Sequence, residues 1–269
     1  MTGNTSGIGT ESPSNPFVAY YEKQSASPAT IAHFQRLKAM LLRVLSPTRP
    51  PQQTRVLDIG CGAGSFCQVW AESGFDVSGA DINPELIEIA RNRMKEAGLA
   101  IEFHTGSASV LPWPDASFSI VAMPELLEHV DDWQSCLAEA IRVLAPGGVL
   151  YLSTTNVLCP KQQEFDLPLY SWYPEAIKRH CVKLATSTQR QWVQYARFPA
   201  VNWFSPRKLS SYLSRRGMTV FDRFGIWATY SQNRRQRAIG RMISAVPALD
   251  LMGHIATPST VLVALKISA

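Results

Sequence analysis

The chain has 269 residues, of which 46% are hydrophobic and 10% aromatic, and its formal net charge is +5. This length and apolar content predict one globular domain, and they exclude a disordered or fibrous protein. The N-terminus lacks a basic start followed by an apolar stretch, and no apolar run is long enough to cross a bilayer, so we expect a cytoplasmic protein.

Charge is divided unevenly along the chain. Residues 1–160 hold ten basic and sixteen acidic residues, whereas residues 161–269 hold sixteen basic and five acidic ones. A basic half attracts phosphate groups, anionic lipid or nucleic acid, or it is a solvated surface. Because no nucleic-acid motif is present, the sequence does not favour a nucleic-acid partner. The five cysteines form no metal-ligand spacing and their odd number argues against a disulfide framework, which predicts reduced thiols.

The predicted elements begin after a polar, Gly- and Ser-rich segment. Residues 1–16 predict a disordered tail, and residues 17–269 a single domain. A helix over 27–46 follows, capped by Ser27 before Pro28, with its apolar residues on one face, so that it can cover the domain.

Strands and helices then alternate through residues 54–155. We predict strands at 55–59, 76–81, 100–104, 118–122 and 148–154, and helices at 65–73, 84–97 and 133–144. Such alternation requires a parallel sheet with right-handed crossovers.

A glycine-rich turn joins the first strand to the first of these helices. The run from Val56 to Gly64 reads D-x-G-x-G-x-G, and Ser65 stands where the dinucleotide fingerprint has its third glycine. Asp81 closes the next apolar run about 20 residues later, where a carboxylate can accept hydrogen bonds from ribose hydroxyls. The two features together predict a nucleoside-containing cofactor.

These residues resemble the first motif and the ribose-binding acid of the class I S-adenosylmethionine-dependent methyltransferases. Three further segments match that family in order, at 106–115, 118–123 and 144–150, and the pattern is most similar to the ubiquinone-biosynthesis O-methyltransferases. The resemblance implies a Rossmann-like α/β fold, with a mostly parallel seven-stranded sheet, a closing antiparallel pair and S-adenosyl-L-methionine as cofactor.

The resemblance also implies which residues contact that cofactor. They are Asp58, Gly60, Cys61, Gly62, Gly64, Asp81, Ile82, Gly106, Ser107, Ala108 and Met123. Many relatives have Asp at the position of Ser107, where the acid receives the adenine amino group, and a hydroxyl can accept the same hydrogen bond.

We predict His129 as a general base, because an imidazole can take a proton from a hydroxyl at neutral pH and the residue follows the fourth strand. A structural role for His129 is the alternative. The pattern Glu125-x-x-Glu128-His129 is similar to a divalent-cation site of some relatives, but the segment 198–202 lacks the further histidine, so we predict no metal.

An aromatic-rich segment over 157–204 predicts a substrate lid, since it is too long for a bare connection. Two strands at about 219–227 and 260–267 fit the closing antiparallel pair, with an insertion over 228–258. Within that insertion, residues 234–246 predict a basic amphipathic helix, which either lies on an anionic membrane or packs on its own sheet.

The sequence thus predicts a methyltransferase that modifies an oxygen atom of a small-molecule or lipid-linked acceptor. Oxygen is favoured by the resemblance and by the absence of the Asn/Asp-Pro-Pro-Tyr motif used for amide and base-amine methylation. Alternatives are a sugar or nucleotide-linked glycan as acceptor, RNA as acceptor, or a cofactor-binding module without catalysis. The oligomeric state stays open.

Overall fold

The computed structural model describes residues 25–45, 53–161, 165–193 and 199–267. The predicted disordered tail at 1–16 lies outside the described residues. Seven strands form one sheet in the order β3-β2-β1-β4-β5-β7-β6. They are β1 Arg55–Ile59, β2 Asp76–Asp81, β3 Glu102–Thr105, β4 Phe118–Pro124, β5 Leu144–Thr155, β6 Met218–Asp222 and β7 Ser259–Lys266.

The described residues also contain nine α-helices and three short 3₁₀ turns. The helices are α1 Pro28–Leu45, α2 Ser65–Ala71, α3 Pro84–Glu96, α4 Trp133–Val143, α5 Glu175–Ser187, α6 Pro206–Ser214, α7 Arg223–Tyr230, α8 Arg234–Ala245 and α9 Pro247–Ile255. The 3₁₀ turns are Leu127–His129, Tyr170–Trp172 and Arg190–Val193. Within the described ranges, no helix has both the length and the apolar content that crossing a membrane requires.

The strand directions confirm the predicted fold class. Strands β1 to β5 pair in parallel, and β7 pairs antiparallel with both β5 and β6. Because the carboxyl ends of parallel strands meet at one edge, the loops after β1, β2 and β4 converge there.

The sheet is covered on both faces because its strands alternate their side chains between two cores. Leu57 and Leu150 belong to the core that includes α4 and α6, whereas Val56 and Tyr151 belong to the core that includes α1 and α2. The predicted first helix lies on the second face, where Phe34 of α1 stacks on the Phe66 ring of α2 at 4.7 Å between centroids.

The sixth strand is shorter than the sequence indicated. The prediction of a strand over 219–227 is wrong after Asp222, since α7 begins at Arg223. The Asp222 carboxylate accepts a hydrogen bond from the backbone N–H of Gly225 at 2.8 Å and so caps that helix. The segment Phe221 to Trp227 combines apolar residues with Asp222 and Arg223, a pattern that is compatible with a strand or with a helix, and the cap decides between them.

The fifth strand begins earlier than predicted, because the Pro-Gly-Gly turn is part of it. Phe118 is opposite Leu144 and Ile120 is opposite Val149, so that β5 carries a bulge between these pairs. The residues Pro146 to Gly148, which precede the predicted strand, bend β5 at its start.

Most of the aromatic side chains described in the 157–204 segment pack on one another in a small core of their own. The Phe165 and Tyr170 rings stack with centroids 4.2 Å apart, and Tyr170 contacts Trp203 at 5.4 Å. The Lys178 ammonium lies 4.5 Å from the centre of the Trp203 ring. Trp172 is an exception, since 56% of it is exposed. The lid function of this segment stays a prediction.

Candidate active site

The glycine turn after β1 has a backbone that other residues adopt only with strain. Gly60, Gly62 and Gly64 have φ angles of 79°, 52° and 79°, in the left-handed region that favours glycine. A Cβ on Gly64 would lie 3.0 Å from the Cβ of Ala90, whereas a Cβ on Gly62 would meet no atom within 4 Å. Internal packing therefore explains the glycine at 64 but not the one at 62, which faces open space.

Asp81, at the end of β2, holds this turn in place. One carboxylate oxygen accepts the backbone N–H of Gly62 at 2.8 Å, and the other accepts that of Asn83 at 2.8 Å. Burial raises the pKa of Asp81, while these backbone hydrogen bonds oppose the shift. Each carboxylate oxygen keeps a second lone pair for another donor. Ile82 beside it is 63% exposed and presents an apolar surface at the same edge.

Asp58 carries an unsatisfied buried oxygen beneath the turn. The residue is 1% exposed, and its Oδ2 receives a weak hydrogen bond from the Cys67 thiol at 3.6 Å. Among the described residues, no donor reaches its Oδ1. Burial raises the pKa of Asp58 to about 7. A buried carboxylate oxygen without a donor is costly, and a cationic ligand group such as an ammonium would satisfy it.

The remaining residues predicted at the cofactor differ in how accessible they are. The N–H of Gly106 donates to the Asp81 carbonyl at 2.9 Å, and Ser107 is exposed, with its hydroxyl 2.8 Å from that of Ser109. Ala108 is partly buried against the core. Cys61 is buried, and Met123 is 0% exposed within β4. The side chain of Met123 is therefore part of the apolar core.

His129 lies in the 3₁₀ turn that follows β4, at the same edge of the sheet. The chain enters this turn through Glu125, whose φ of 48° is unusual for a residue with a side chain. Glu125 is held there by its N–H, which donates to the Ser153 carbonyl at 2.9 Å. Glu128 is fully buried and accepts the Thr154 hydroxyl at 2.7 Å. Such enforced strain is common at functional sites.

Asn202 fixes the histidine turn from the far end of the aromatic segment. Its side-chain amide donates to the carbonyls of Leu127, at 3.3 Å, and Val130, at 2.6 Å. Its backbone N–H donates to the Glu128 carbonyl at 3.1 Å. The sequence pattern did not predict this role for Asn202. No local signal in the sequence pairs it with His129.

A cluster of possible metal ligands lies elsewhere, at the end of β6. Asp222, Asp250 and His254 are the one group of three in the described ranges whose ligand atoms all lie within 4.8 Å of one another. The buried Nε2 of His254 is 3.0 Å from Asp222 and 3.4 Å from Asp250. Burial raises the pKa of Asp222, but hydrogen bonds from His254 and Gly225 lower it by more, so the net pKa is below its ordinary value.

Comparison with known proteins shows which family and which curated proteins the chain is similar to. Residues 57–152 match the family described as "Methyltransferase domain". The chain is 36% identical over 121 residues to the ubiquinone biosynthesis O-methyltransferase of Xanthomonas axonopodis pv. citri, across 45% of this chain and 51% of that protein. It is 31% identical over 143 residues to the protein of the same name from a Chelativorans species, across 53% of this chain and 56% of that one. Residues 57–152 of the chain form a methyltransferase domain.

Solved structures agree with the fold of this methyltransferase domain. The YcgJ protein of Bacillus subtilis is 19% identical, with a TM-score of 0.56 over 88% of this chain and 100% of that one. A SAM-dependent methyltransferase from Aquifex aeolicus is 15% identical, with a TM-score of 0.55 over 92% of this chain and 98% of that one. The chain spans about half the length of the curated relatives it matches.

Proposed function

We propose that the chain transfers a methyl group from S-adenosylmethionine to an oxygen atom of a small-molecule or lipid-linked acceptor, with His129 as general base. The observation that carries this proposal is the convergence of the glycine turn, Asp81 and the His129 turn at one edge of the sheet. The printed names of the curated relatives support oxygen as the atom that is methylated.

The residues at that edge suit the parts of the cofactor. The unpartnered Oδ1 of Asp58 suits the ammonium of the methionine portion, and the open side of Gly62 lets a ligand approach the backbone. Asp81 can accept the ribose hydroxyls with its remaining lone pairs. Gly60, Cys61 and Gly64 shape the turn, while Ile82 and the segment 106–108 lie where adenine would rest.

The bound cofactor supplies an electrophilic methyl group on a sulfonium. The task of the protein is then to hold the acceptor hydroxyl in line with that methyl group and to remove its proton. A ring nitrogen of His129 would take the proton of the acceptor hydroxyl as that oxygen accepts the methyl group. The hydrogen bonds from Asn202 hold the turn so that the imidazole stays at the sheet edge.

Cofactor binding is tested by calorimetry with S-adenosylhomocysteine. Asp81→Ala removes both the ribose acceptor and the support of Gly62, so we expect affinity to fall by about tenfold or more. Asp76→Ala is the matched control, because this aspartate lies on the same strand and pairs with Arg55 away from the edge. Equal affinity in the wild type and Asp81→Ala would contradict the assignment.

The base is tested once an acceptor is found by mass spectrometry of extracts incubated with methyl-labelled cofactor. In single-turnover experiments His129→Ala should slow transfer by about 10²-fold or more, without changing the affinity for S-adenosylhomocysteine. His180→Ala, on the exposed surface of α5, is the control. Transfer at the wild-type rate in His129→Ala would leave His129 a structural residue.

We also propose that α8 and α9 contact an anionic membrane surface. The helix α8 packs on α7 through Gly240, where an added Cβ would lie 2.6 Å from the Ala228 backbone nitrogen. Its apolar face is left outside: Ile239 is 45% and Met242 56% exposed, and Met252 of α9 is 63% exposed. Beside this face the helix carries Arg234, Arg235, Arg237 and Arg241. Exposed apolar side chains flanked by arginines are typical of interfacial helices.

Flotation with phosphatidylglycerol vesicles tests the membrane contact. The wild type should float with these vesicles and not with phosphatidylcholine vesicles. Replacing the four arginines of α8 by glutamine should abolish flotation. A control with the same charge change replaces Arg179, Arg207, Arg215 and Arg216 and should float like the wild type. If the wild type does not float, the proposal is wrong.

A further inference from the structure

A cavity of about 310 Å³ lies between α1 and α7, on the sheet face formed by β5 and β7. It is lined by three arginines and three large aromatic residues, together with smaller apolar and polar groups. These six residues are Arg36, Arg43, Arg223, Tyr151, Trp227 and Tyr230. The aromatic rings provide walls for the apolar part of a ligand, and the arginines provide charge.

The positive charge of this cavity is not balanced by its own walls. Among its described lining residues there is no aspartate or glutamate. Arg36 and Arg43 approach it from α1 and Arg223 from α7, so cations from two helices face the same space. An anion between these arginines would offset their mutual repulsion and would accept hydrogen bonds from their N–H groups.

Arg223 is the deepest of the three and is already oriented. Its Nη2 donates to the Ser259 carbonyl at 3.1 Å and to the Ser259 hydroxyl at 2.9 Å. Its Nε is buried and, among the described residues, has no acceptor. Burial lowers the pKa of Arg223, and Tyr151, Glu125 and Asp222 oppose this shift. A guanidinium that is held in place with one unmet N–H suits an anionic ligand.

The cavity lies beside the strand that leads to the His129 turn. Tyr151, which lines the cavity, is opposite Ala122 of β4, and the N–H of Glu125 donates to the carbonyl of Ser153, two residues farther along β5, at 2.9 Å. The glycine turn, by contrast, follows β1 and is held by Asp81 at the end of β2. Gln236 of α8 lines the outer part, so the cavity also borders the helix proposed to contact the membrane.

We infer that this cavity binds a phosphate or diphosphate group of the methyl acceptor, and that the acceptor is therefore a phosphate-bearing molecule with an apolar or ring portion. The inference rests on the proposed function, since it names the acceptor class of the same active site. Arginines form paired hydrogen bonds with phosphate oxygens, and Trp227 and Tyr230 cover the adjoining part of the ligand.

Calorimetry with inorganic pyrophosphate, phenyl phosphate and benzoate at constant salt tests this inference. The wild type should bind the two phosphates and bind benzoate more weakly. The double variant Arg36→Gln/Arg43→Gln should bind the phosphates about tenfold more weakly or worse. These arginines are exposed, so the fold should be retained. The control Arg179→Gln/Arg215→Gln carries the same charge change on exposed positions of α5 and α6.

Three outcomes would overturn the inference: no phosphate binding, an equal loss in the control, or benzoate binding as tight as phenyl phosphate. Dodecyl phosphate separates the two sources of the group, since tighter binding than phenyl phosphate assigns a lipid phosphate and weaker binding a soluble ester. S-adenosylhomocysteine is titrated into the same samples. If it binds while the phosphates do not, the inference fails and the proposed function stands; if it does not bind, the proposed function fails.

Discussion

Gly62→Ala tests whether the cofactor contacts the glycine turn, because the structure gives both the backbone strain and the packing effect of this substitution. The φ of Gly62 is +52°, so alanine there costs about 1–2 kcal/mol of backbone strain. No atom lies within 4 Å of the added Cβ, so no packing penalty is expected. Alanine also keeps the backbone N–H that donates to Asp81. The melting temperature should therefore fall by only about 2–8 °C.

Gly74→Ala is the matched control for this substitution. Gly74 has φ +80° and likewise no atom within 4 Å of an added Cβ, but it lies in the turn between α2 and β2, away from the carboxyl edge. Both variants should lose similar stability in thermal unfolding. Only Gly62→Ala should bind S-adenosylhomocysteine about tenfold more weakly or worse in calorimetry, because its methyl group occupies the space that the cofactor needs. Wild-type affinity in a folded Gly62→Ala protein would refute the close approach of the cofactor to this turn.

Three further predictions concern the His129 turn, Asp222 at the end of β6, and the contact between α7 and α8. Asn202→Ala removes two hydrogen bonds to the His129 turn and should lower the free energy of unfolding by about 1–2 kcal/mol. Methyl transfer in single-turnover experiments should slow, while the affinity for the cofactor stays unchanged. An unchanged transfer rate would contradict a positioning role for Asn202. The folded-state pKa of Asp222 is below its ordinary value of 3.8. The ionised carboxylate therefore stabilises the fold at pH values above 3.8, and this stabilisation is lost as the pH falls through the folded-state pKa. The stability difference between the wild type and Asp222→Asn should therefore shrink towards low pH in denaturant titrations, and a constant difference would be evidence against the ion pair. Gly240→Leu should destabilise by about 1–3 kcal/mol, because α7 lies too close for a side chain, whereas the exposed control Ala238→Leu should melt near the wild type.

The parallel core of the fold was predictable because its signals are local. The predicted bounds of β1 and β2, 55–59 and 76–81, agree with the structure, since both are buried strands and a glycine turn closes the first. The strand predicted over 219–227 failed for the opposite reason. Its mixture of apolar and charged residues fits either type of element, and only the hydrogen bond from the Gly225 N–H to Asp222 shows that a helix begins there.

The candidate site also has a part that the sequence predicted and a part that it did not. The proposed cofactor side rests on a contiguous motif and on one acid at the end of the next strand, and the resemblance to the methyltransferase family names its residues. The position of His129 after β4 was also predictable. Its support was not, because Asn202 is 72 residues from Val130, whose carbonyl it binds, and a side-chain amide carries no mark of its distant partner.

The sequence by itself determined the class of domain, because the glycine turn and the alternation of strands and helices are signals carried by neighbouring residues, and its resemblance to a methyltransferase family implied the methyl donor. Only the tertiary structure decided what surrounds the acceptor. The arginine cavity combines Arg36 and Arg43 of α1 with Arg223 of α7, and the exposed face of α8 depends on which side of that helix Gly240 presents to α7. Residues far apart in the chain meet there only through packing on the sheet, and periodicity in the sequence does not specify which helices become neighbours.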